Sequence, residues 1–453
     1  MSVRSLVSRF SALVFSLVFL GLLVPGAAAA GQAGTVREEQ RPKGGQYREG
    51  QQHPGDWERR LEMLRSVPYL ALTRTEVGES DTGVVRHEPE RAWRGYHLAC
   101  RLSAGEAYLM DMAGRKVHRW RYLPGPHRGE DHAILLNNGD VVVIKKFSQV
   151  ARYDWNSQLI WKRDFQPHHD LAQAADGTFY VVAQQLHRYR GAQVSFDDLI
   201  HLSPDGALID RWSTYDHRRE IVGALEGEPF LDRIARRFRG RLPGRGRQEP
   251  GREISPTVDV GDPGAGDDRY EYFHMNTVAI VPHNDLGRRD DRFRPGHLLV
   301  CFRNINLIAI LEPDTYRLLW SWGQGELQWP HHPTMLPNGH ILVFDNGIHR
   351  EYSRVIELDP RQETIVWEYT ARPPENFYSP TRGSAQRLEN GNTLICESDN
   401  GRVFEVTADG EVVWEWLNPV IVGGRRETVY RMIRLGPETV EPLLNRWWWW
   451  TDG

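Results

Sequence analysis

The sequence predicts an all-β fold, a six-bladed β-propeller whose blades are four-stranded antiparallel sheets. A strand that ends in Trp shortly after a turn recurs six times, and its copies end at Trp120, Trp161, Trp212, Trp320, Trp367 and Trp414. Successive copies lie roughly 40 to 50 residues apart, except for a step of 108 residues from Trp212 to Trp320. Four-stranded units at this period are typical of a propeller, which closes into a ring and leaves few exposed sheet edges.

A second type of hairpin precedes most of the Trp-ending ones. Its copies begin at His132, His169, His332 and Gly383, with a longer version from His274 and a weaker one from Tyr96. The copy HPTMLPNGHILVF places Asn338-Gly339 between two alternating apolar runs, which is a strong hairpin signal. Two hairpins in each of six units predict 24 strands.

The ends of the chain differ in composition from the repeat. Residues 1–30 combine Arg4 and Arg9 with an apolar stretch and a run of alanines, which is the pattern of a secretory signal peptide. The apolar stretch from Phe10 to Val24 is short for the ~20 residues of a spanning helix, so cleavage is favoured over an uncleaved membrane anchor. The mature protein is therefore expected in the periplasm or outside the cell.

The remaining segments are assigned from composition and periodicity. Residues 31–80 predict a flexible tether followed by a short helix over WERRLEMLR, and the propeller is expected over 81–435. An insertion of about 216–269 interrupts the propeller between the third and fourth blades, and it begins with a helical pattern. The segment TVYRMIRL, 428–435, is expected to return as the outer strand of the first blade. Residues 436–453 form a Trp-rich tail, whose Trp447–Trp450 run suggests docking to a membrane or a partner, or packing against the propeller.

Charge and cysteine content exclude several classes of function. The 453-residue chain has a net charge of −4, so a nucleic-acid partner is not expected. Three cysteines support neither a disulfide scaffold nor a cysteine zinc site. No cofactor is indicated, and the sequence does not decide the oligomeric state.

Histidines mark the start of the first hairpin in several units. The first strand of each propeller blade lines the central channel, so these histidines are expected to gather at one mouth of that channel. They are His132, His168, His169, His274 (with Asn276 nearby), His331 and His332. The carboxylates Asp131 and Asp170 are expected to orient imidazole rings.

Register separates the two adjacent histidines of the fifth unit. His169 and His331 both lie seven residues before the first turn residue, whereas His332 lies six before it. An offset of one residue turns a side chain to the other face of a strand, so His169 and His331 form the matched pair. A local bulge would reverse that order, and His332 stays the alternative.

Arginines beside the histidines favour an anionic ligand over a metal ion. Arg303 closes the second strand of the His274 hairpin, and Arg350 and Arg354 follow the His331 hairpin. Three or four histidines suit Zn²⁺ or Fe²⁺, but neighbouring guanidinium groups repel a cation and pair with sulfate or phosphate oxygens. We therefore expect no metal site.

The order of these motifs resembles the bacterial arylsulfate sulfotransferases. The resemblance rests on HHDL from His168, FHMNTV from Phe273, LLVCFRN from Leu298, WPHHPTMLPNGHILVFDNG from Trp329 and GSAQRLENGNTLICE from Gly383. It extends over about 95–419.

The resemblance implies a six-bladed propeller that moves a sulfuryl group from a phenolic sulfate ester to a phenol without a nucleotide sulfate donor. A transiently sulfated histidine, His331 or His332, is the implied nucleophile, and His169 and His274 are the further catalytic candidates. The resemblance implies that His169, His274, Asn276 and Arg303 bind sulfate oxygens and serve proton transfer, and that Ser384 or Thr381 lines the pocket from the sixth unit. His168 and Arg350 are further substrate-binding candidates from their places beside the hairpins. Trp329 and Tyr378 are candidates for stacking on the aryl ring.

Two other functions compete with this interpretation. A non-catalytic exported propeller that binds an anionic ligand or a protein across its mouth explains the insertion and the Trp-rich tail equally well. A quinone-cofactor dehydrogenase is disfavoured, because such propellers usually have eight blades and this sequence predicts six.

Overall fold

The computed structural model describes Thr73 and residues 81–102, 104–123, 132–189, 192–223 and 270–448. These residues form a six-bladed β-propeller, which confirms the predicted fold class and the number of blades. Twenty-four of the 28 described strands build the blades, four in each. The segments predicted as signal peptide, tether and N-terminal helix lie outside the described residues, as do Asp131 and the part of the insertion from 224 to 269.

The first half of the strands builds blades 1 to 3. Strand β1 (Gly83–His87) precedes the blades. Blade 1 contains β2 (Tyr96–Arg101), β3 (Glu106–Met110) and β4 (Lys116–Arg121). Blade 2 consists of β5 (His132–Leu135), β6 (Val141–Lys145), β7 (Gln149–Tyr153) and β8 (Leu159–Asp164). Blade 3 consists of β9 (Pro167–Gln173), β10 (Phe179–Tyr189), β11 (Ala192–Leu202) and β12 (Leu208–Ser213).

The second half begins with the connection from blade 3 to blade 4, which carries α1 (Arg218–Gly223) and β13 (Tyr270–Glu271). Blade 4 consists of β14 (Met275–Ile280), β15 (Leu298–Phe302), β16 (Leu307–Leu311) and β17 (Leu318–Trp322). Blade 5 consists of β18 (His331–Met335), β19 (Ile341–Asp345), β20 (Arg354–Asp359) and β21 (Thr364–Tyr369). Blade 6 consists of β22 (Ser384–Arg387), β23 (Thr393–Glu397), β24 (Arg402–Val406) and β25 (Val412–Leu417). A small hairpin of β26 (Ile421–Val422) and β27 (Arg425–Arg426) leads to β28 (Met432–Leu435) and α2 (Pro437–Trp448).

Both ends of the propeller take part in closing the ring. β28 pairs with β2 and takes the innermost position of blade 1, beside β22 of blade 6. The prediction that 428–435 forms an outer strand was therefore wrong, and the Tyr96 hairpin supplies the second and third strands of blade 1. The N-terminal strand β1 takes the outer position instead, but on blade 6, where it pairs with β25. The repeat pattern does not reveal this shift by one strand, because the sequence of a hairpin is the same whether it supplies the first and second or the second and third strands of a blade.

Stacking of the blades explains why the middle strands are apolar along their whole length. In β15, LLVCF, every residue is buried. Leu298 and Val300 join a core cluster shared with blade 3, whereas Leu299 and Cys301 join one shared with blade 5. Both faces of the sheet are thus covered by neighbouring blades, so the usual polar alternation of a half-exposed strand is lost.

Three of the six recurrent tryptophans form a hydrogen bond from one blade to the next at the rim. The indole Nε1 of Trp161 donates to the carbonyl of Pro204, that of Trp367 to Ala408, and that of Trp414 to Met112, over 2.9–3.1 Å. Each acceptor lies in the outer hairpin turn of the following blade. A large apolar ring with one donor suits this position, since it fills the gap between sheets and satisfies an exposed turn carbonyl.

Blade 3 differs from the others in the length of its central hairpin. β10 and β11 contain 11 residues each, whereas the other blade strands contain four to seven. β13 pairs in parallel with β11, through Val194 with Tyr270 and Ser195 with Glu271. The connection that follows the predicted insertion is thereby anchored on blade 3 before blade 4 begins.

The Trp-rich tail includes a helix that the sequence analysis did not assign. In α2, Val440 and Leu443 are buried in the core cluster of blades 1 and 2 beside Trp155. The turn at Gly139 also meets Leu443 and Trp155, so α2 packs at the turn end of blade 2, opposite the strand starts. Neither described helix has the length and apolar character needed to cross a bilayer.

Candidate active site

The inner strands of blades 3, 4 and 5 are irregular where they carry histidine. His169, His274 and His332 have φ angles of 60°, 53° and 49°, a left-handed conformation that is uncommon outside glycine. The ladder of each strand shifts register at this point. Such bulges re-aim side chains, and here they turn imidazoles from three blades toward the channel.

Three imidazoles from blades 3 and 4 are in mutual contact. The ring centroids of His168 and His169 are 4.6 Å apart, those of His169 and His274 also 4.6 Å, and those of His168 and His274 6.4 Å. All three side chains are buried. The structure thus brings together three of the residues that the sequence analysis singled out.

His331 of blade 5 is held in one tautomer by Asn346. Its Nδ1 lies 2.7 Å from Asn346 Oδ1 and 3.0 Å from the carbonyl of Trp329. The Asn346 amide nitrogen donates to the carbonyls of Ser379 and Arg382, so its oxygen must face the imidazole. Both groups at Nδ1 are acceptors, and the proton of the neutral ring is therefore on Nδ1. Nε2 is buried and has no hydrogen-bond partner in the described part of the chain.

Arg303 supplies a buried positive charge between blades 4 and 5. Its side chain is 1% exposed, its guanidinium stacks 4.4 Å from the Trp329 ring, and its Nη2 lies 3.3 Å from Glu271 Oε2. Glu271 also accepts a hydrogen bond from His274 Nδ1. Trp329 is thus covered by Arg303, which argues against its predicted stacking on an aryl ring.

Burial keeps these imidazoles neutral at physiological pH. Burial and then the charge of Arg303 lower the pKa of His331 to about 3. Burial and Arg303 likewise lower the pKa of His274 to about 3, against the opposing effect of Glu271. For His169 the pKa falls well below its usual range through burial, with contributions from His274 and His168. A neutral imidazole keeps a lone pair and is competent as a nucleophile or base.

Asn276 is buried beside His331 and organises the neighbouring backbone. Its amide nitrogen donates to the Pro330 carbonyl over 2.9 Å, and its oxygen accepts from the Thr277 hydroxyl. Thr277 in turn accepts from the backbone N–H of His332. Asn276 therefore connects the inner strand of blade 4 to the histidine pair of blade 5.

His332 faces a second group of charged residues. Its Nδ1 donates to the carbonyl of Ala385 in blade 6, over 3.1 Å. Charge on Arg431, rather than on Arg303, acts on its imidazole. Arg431 donates to Asp170 over 2.6 Å, and His132 Nε2 lies 3.4 Å from the same carboxylate oxygen. Asp170 therefore holds Arg431 and faces His132, whereas the ring of its neighbour His169 contacts the Tyr430 hydroxyl at 3.3 Å.

Three further residues singled out by the sequence are occupied with structural contacts. Arg350 pairs with the buried carboxylate of Asp345 at 3.0 Å and donates to two backbone carbonyls. The Thr381 hydroxyl donates to Asp399. Ser384 is buried in β22 opposite Cys396, which is the ladder position that His331 occupies opposite Phe344 in blade 5. These contacts leave Arg350 outside the histidine cluster, and we omit it from the site.

Several residues of this region escaped the sequence analysis. They are Glu271, Asn346, Lys146, Tyr430, Arg431 and Asp197, whose carboxylate lies 3.3 Å from His168. Lys146, Arg303 and Asn346 share one topological position, immediately after the second strand of blades 2, 4 and 5. A comparison of the residue directly after the second strand in every repeat would have identified these three residues. Among the described residues, no group of His, Cys, Asp and Glu is arranged to hold a metal ion.

The family model described as arylsulfotransferase (ASST) matches residues 132–419, nearly two thirds of the sequence. The chain belongs to the arylsulfotransferase (ASST) family. Membership supports an aryl sulfotransferase activity and confirms the resemblance seen in the sequence motifs. The match begins at His132 of blade 2 and ends after blade 6, so all the described site residues except those of 430–431 fall within it.

Other comparisons add little to this family assignment. No curated protein has a matching sequence. A protein of unknown function from Bacteroides caccae is 13% identical, with 76% of this chain and 99% of that one covered and a TM-score of 0.46. A catalytically inactive virginiamycin B lyase from Staphylococcus aureus, bound to quinupristin, is 9% identical, with 76% and 88% covered and a TM-score of 0.40. Likenesses this distant carry no argument about the arylsulfotransferase chain.

Proposed function

We propose that the chain moves a sulfuryl group from a phenolic sulfate ester to a phenol through a sulfohistidine at His331. The observation that carries this proposal is the buried Nε2 of His331, which has no hydrogen-bond partner among the described residues, opposite an Nδ1 whose proton is held by Asn346. The ring presents one lone pair and cannot present a proton at the same atom. Arg303 provides positive charge beside it, which suits the oxygens of a sulfate ester.

The transfer is proposed as two displacements at sulfur. The Nε2 lone pair of His331 attacks in line with the ester oxygen, the S–O bond breaks, and the phenolate leaves with the bonding electrons. The oxygen of the second phenol then attacks the same sulfur, the N–S bond breaks, and its electron pair returns to Nε2. Such transfer asks mainly for alignment and for positive charge near the equatorial oxygens, and Arg303 would supply that charge.

Intact mass after brief exposure to p-nitrophenyl sulfate tests the intermediate. We expect one added SO₃ group, mapped by peptide fragmentation to His331, and its loss when phenol is added. A modification at His332 would reassign the nucleophile. No added group and no nitrophenolate with a panel of aryl sulfates would favour the non-catalytic anion-binding propeller instead.

Substitution of Arg303 tests whether its guanidinium acts on the sulfate ester, as distinct from an arginine that only stabilises the fold. Arg303→Met is expected to slow sulfohistidine formation by about 10²-fold, the usual cost of removing one electrostatic donor from a transition state. Arg350→Met is the matched control, since it removes a guanidinium that pairs with Asp345. That variant should lower the free energy of unfolding by about 1–3 kcal/mol, while the folded protein keeps its rate of sulfation. Equal loss of rate in both variants would contradict the placement of Arg350 outside the site.

Export is a separate proposal that rests on the N-terminal sequence. We propose that residues 1–30 direct the chain out of the cytoplasm and that sulfuryl transfer takes place in the periplasm or outside the cell. Cell fractionation together with the N-terminal sequence of the mature protein tests this. A chain that keeps Met1 and stays in the cytoplasmic fraction would contradict it.

A further inference from the structure

We propose that Glu271 and His274 form a proton-transfer dyad, in which His274 takes the proton of the acceptor phenol and Glu271 is the positioning residue. The inference deepens the proposed function and rests on it, because a dyad for the acceptor has meaning only if a sulfohistidine is formed. It assigns a role to a carboxylate that no sequence motif singled out.

One carboxylate oxygen of Glu271 serves two site residues. Glu271 Oε2 accepts from His274 Nδ1 and lies 3.3 Å from Arg303 Nη2. The side chain of His274 is 1% exposed and that of Glu271 is 13% exposed. A carboxylate at Nδ1 fixes the imidazole in the Nδ1–H tautomer and stabilises the imidazolium that forms when Nε2 gains a proton.

Electrostatics keep Glu271 ionised. Burial by itself raises the pKa of this carboxyl, but attraction to His274, to Arg303 and to Lys146 holds it well below the usual range. The carboxylate is therefore an acceptor only, and it cannot exchange roles with the imidazole. Because Glu271 stays ionised, the proton of the acceptor is taken up by His274.

The backbone places Glu271 more firmly than a loop residue is usually placed. Glu271 lies in β13, paired with Ser195 of blade 3, and its carbonyl accepts from the Asn304 amide of blade 4 over 2.8 Å. Three residues later, the left-handed backbone of His274 turns the chain into β14. Glu271 is thus held by contacts with blades 3 and 4, and His274 lies directly before the first strand of blade 4.

The dyad completes the second displacement. The acceptor O–H gives its proton to His274 Nε2 as its oxygen attacks the sulfur of sulfo-His331, and the N–S electrons return to His331. The imidazolium, paired with Glu271, then releases the proton to the phenolate of the first step or to water. Atoms and charge balance, and no further reactant is required.

The test measures the two displacements separately. The wild type, Glu271→Gln, Glu271→Asp, His274→Gln and the double variant Glu271→Gln/His274→Gln are compared with p-nitrophenyl sulfate as donor and phenol as acceptor. The nitrophenolate burst reports the first step, which needs little proton transfer because nitrophenolate is a weak base. Turnover with phenol reports the second. Glu312→Gln, on the exposed turn between β16 and β17, is the matched control.

We expect Glu271→Gln to keep the burst and to lose about 10²-fold in phenol turnover, the lower range for general acid–base catalysis. Glu271→Asp should recover part of the loss. In the His274→Gln background the Glu271→Gln change should have no further effect, because Glu271 acts through His274.

Three results would overturn the inference. Wild-type turnover in Glu271→Gln would show that the carboxylate is not needed, whereas additive losses in the double variant would show that it acts independently of His274. Equal loss of burst and turnover in Glu271→Gln and Glu271→Asp, with a lowered thermal midpoint, would assign Glu271 a structural role only. Failure of the wild type to form any sulfohistidine would instead refute the proposed function itself.

Discussion

Replacement of His331 by alanine is expected to abolish sulfohistidine formation and to lower phenol turnover by about 10⁴-fold or more, as removal of a covalent nucleophile does elsewhere. The reason is that its Nε2 carries a lone pair with no hydrogen-bond partner in the described ranges, while the opposite nitrogen is held by Asn346. Stopped-flow release of nitrophenolate, combined with intact mass, measures both quantities.

His332→Ala is the matched control for this substitution. The two histidines are adjacent, but His332 turns toward Ala385 of blade 6 and the Arg431 group. We expect the His332 variant to form the sulfohistidine, with a change in turnover well below that of His331→Ala. The reverse pattern would transfer the role of nucleophile to His332. Added imidazole should restore part of the activity of a His331→Gly variant, since the truncated side chain leaves space for it.

The second large effect is a loss of stability in mild acid. At least six described histidines have a pKa lowered by burial: His97, His118, His132, His169, His274 and His331. Each stays neutral in the folded protein below pH 6.5, whereas the unfolded chain takes up the proton. Stability is therefore present above pH 6.5 and is lost as the pH falls toward the folded values, which are about 3 for His274 and His331. A histidine that is fully neutral in the folded chain and fully protonated in the unfolded chain sets an upper limit of about 1.4 kcal/mol per pH unit in that window.

Buried carboxyls oppose this trend but are fewer. Burial raises the pKa of Asp170, Asp197, Asp198 and Glu397, so each stabilises the fold on the acid side of its folded value. Denaturant unfolding at pH 7.5, 6.0 and 5.0 is expected to show a steady fall in the free energy of unfolding. His118→Gln, at the Trp155 stack outside the site, should flatten the profile by at most about 1.4 kcal/mol per pH unit. A stability that does not change over this range would contradict neutral burial of the imidazoles.

The architecture could be predicted from the sequence because the repeated residues have a structural role in every blade. An outer-strand tryptophan whose ring packs in the cluster shared with the next blade recurs wherever a blade ends, so counting it counts blades. The gathering of His168, His169, His274 and His331 followed from the same topology. The repeat did not show which strand of a blade each hairpin begins with, and for that reason the inner position of β28 was missed.

Site residues outside the hairpins were harder to find from sequence. Glu271 follows a long insertion and lies in a strand of two residues, too short for any periodic signal. Tyr430 and Arg431 come immediately before the last strand, β28, and reach blades 2 and 3 only through ring closure. The pairing of Arg350 with Asp345 was also not foreseen, because the position of an arginine in the sequence does not reveal its carboxylate partner.

The placement of β28 has a consequence for biosynthesis. Until 428–435 pairs with blade 1, the hub has a gap where Tyr430 contacts His169 and Arg431 contacts Asp170. Completion of the site therefore requires the same segment that closes the ring. A protein truncated even 25 residues early loses the inner wall of its reaction chamber along with its last sheet contact.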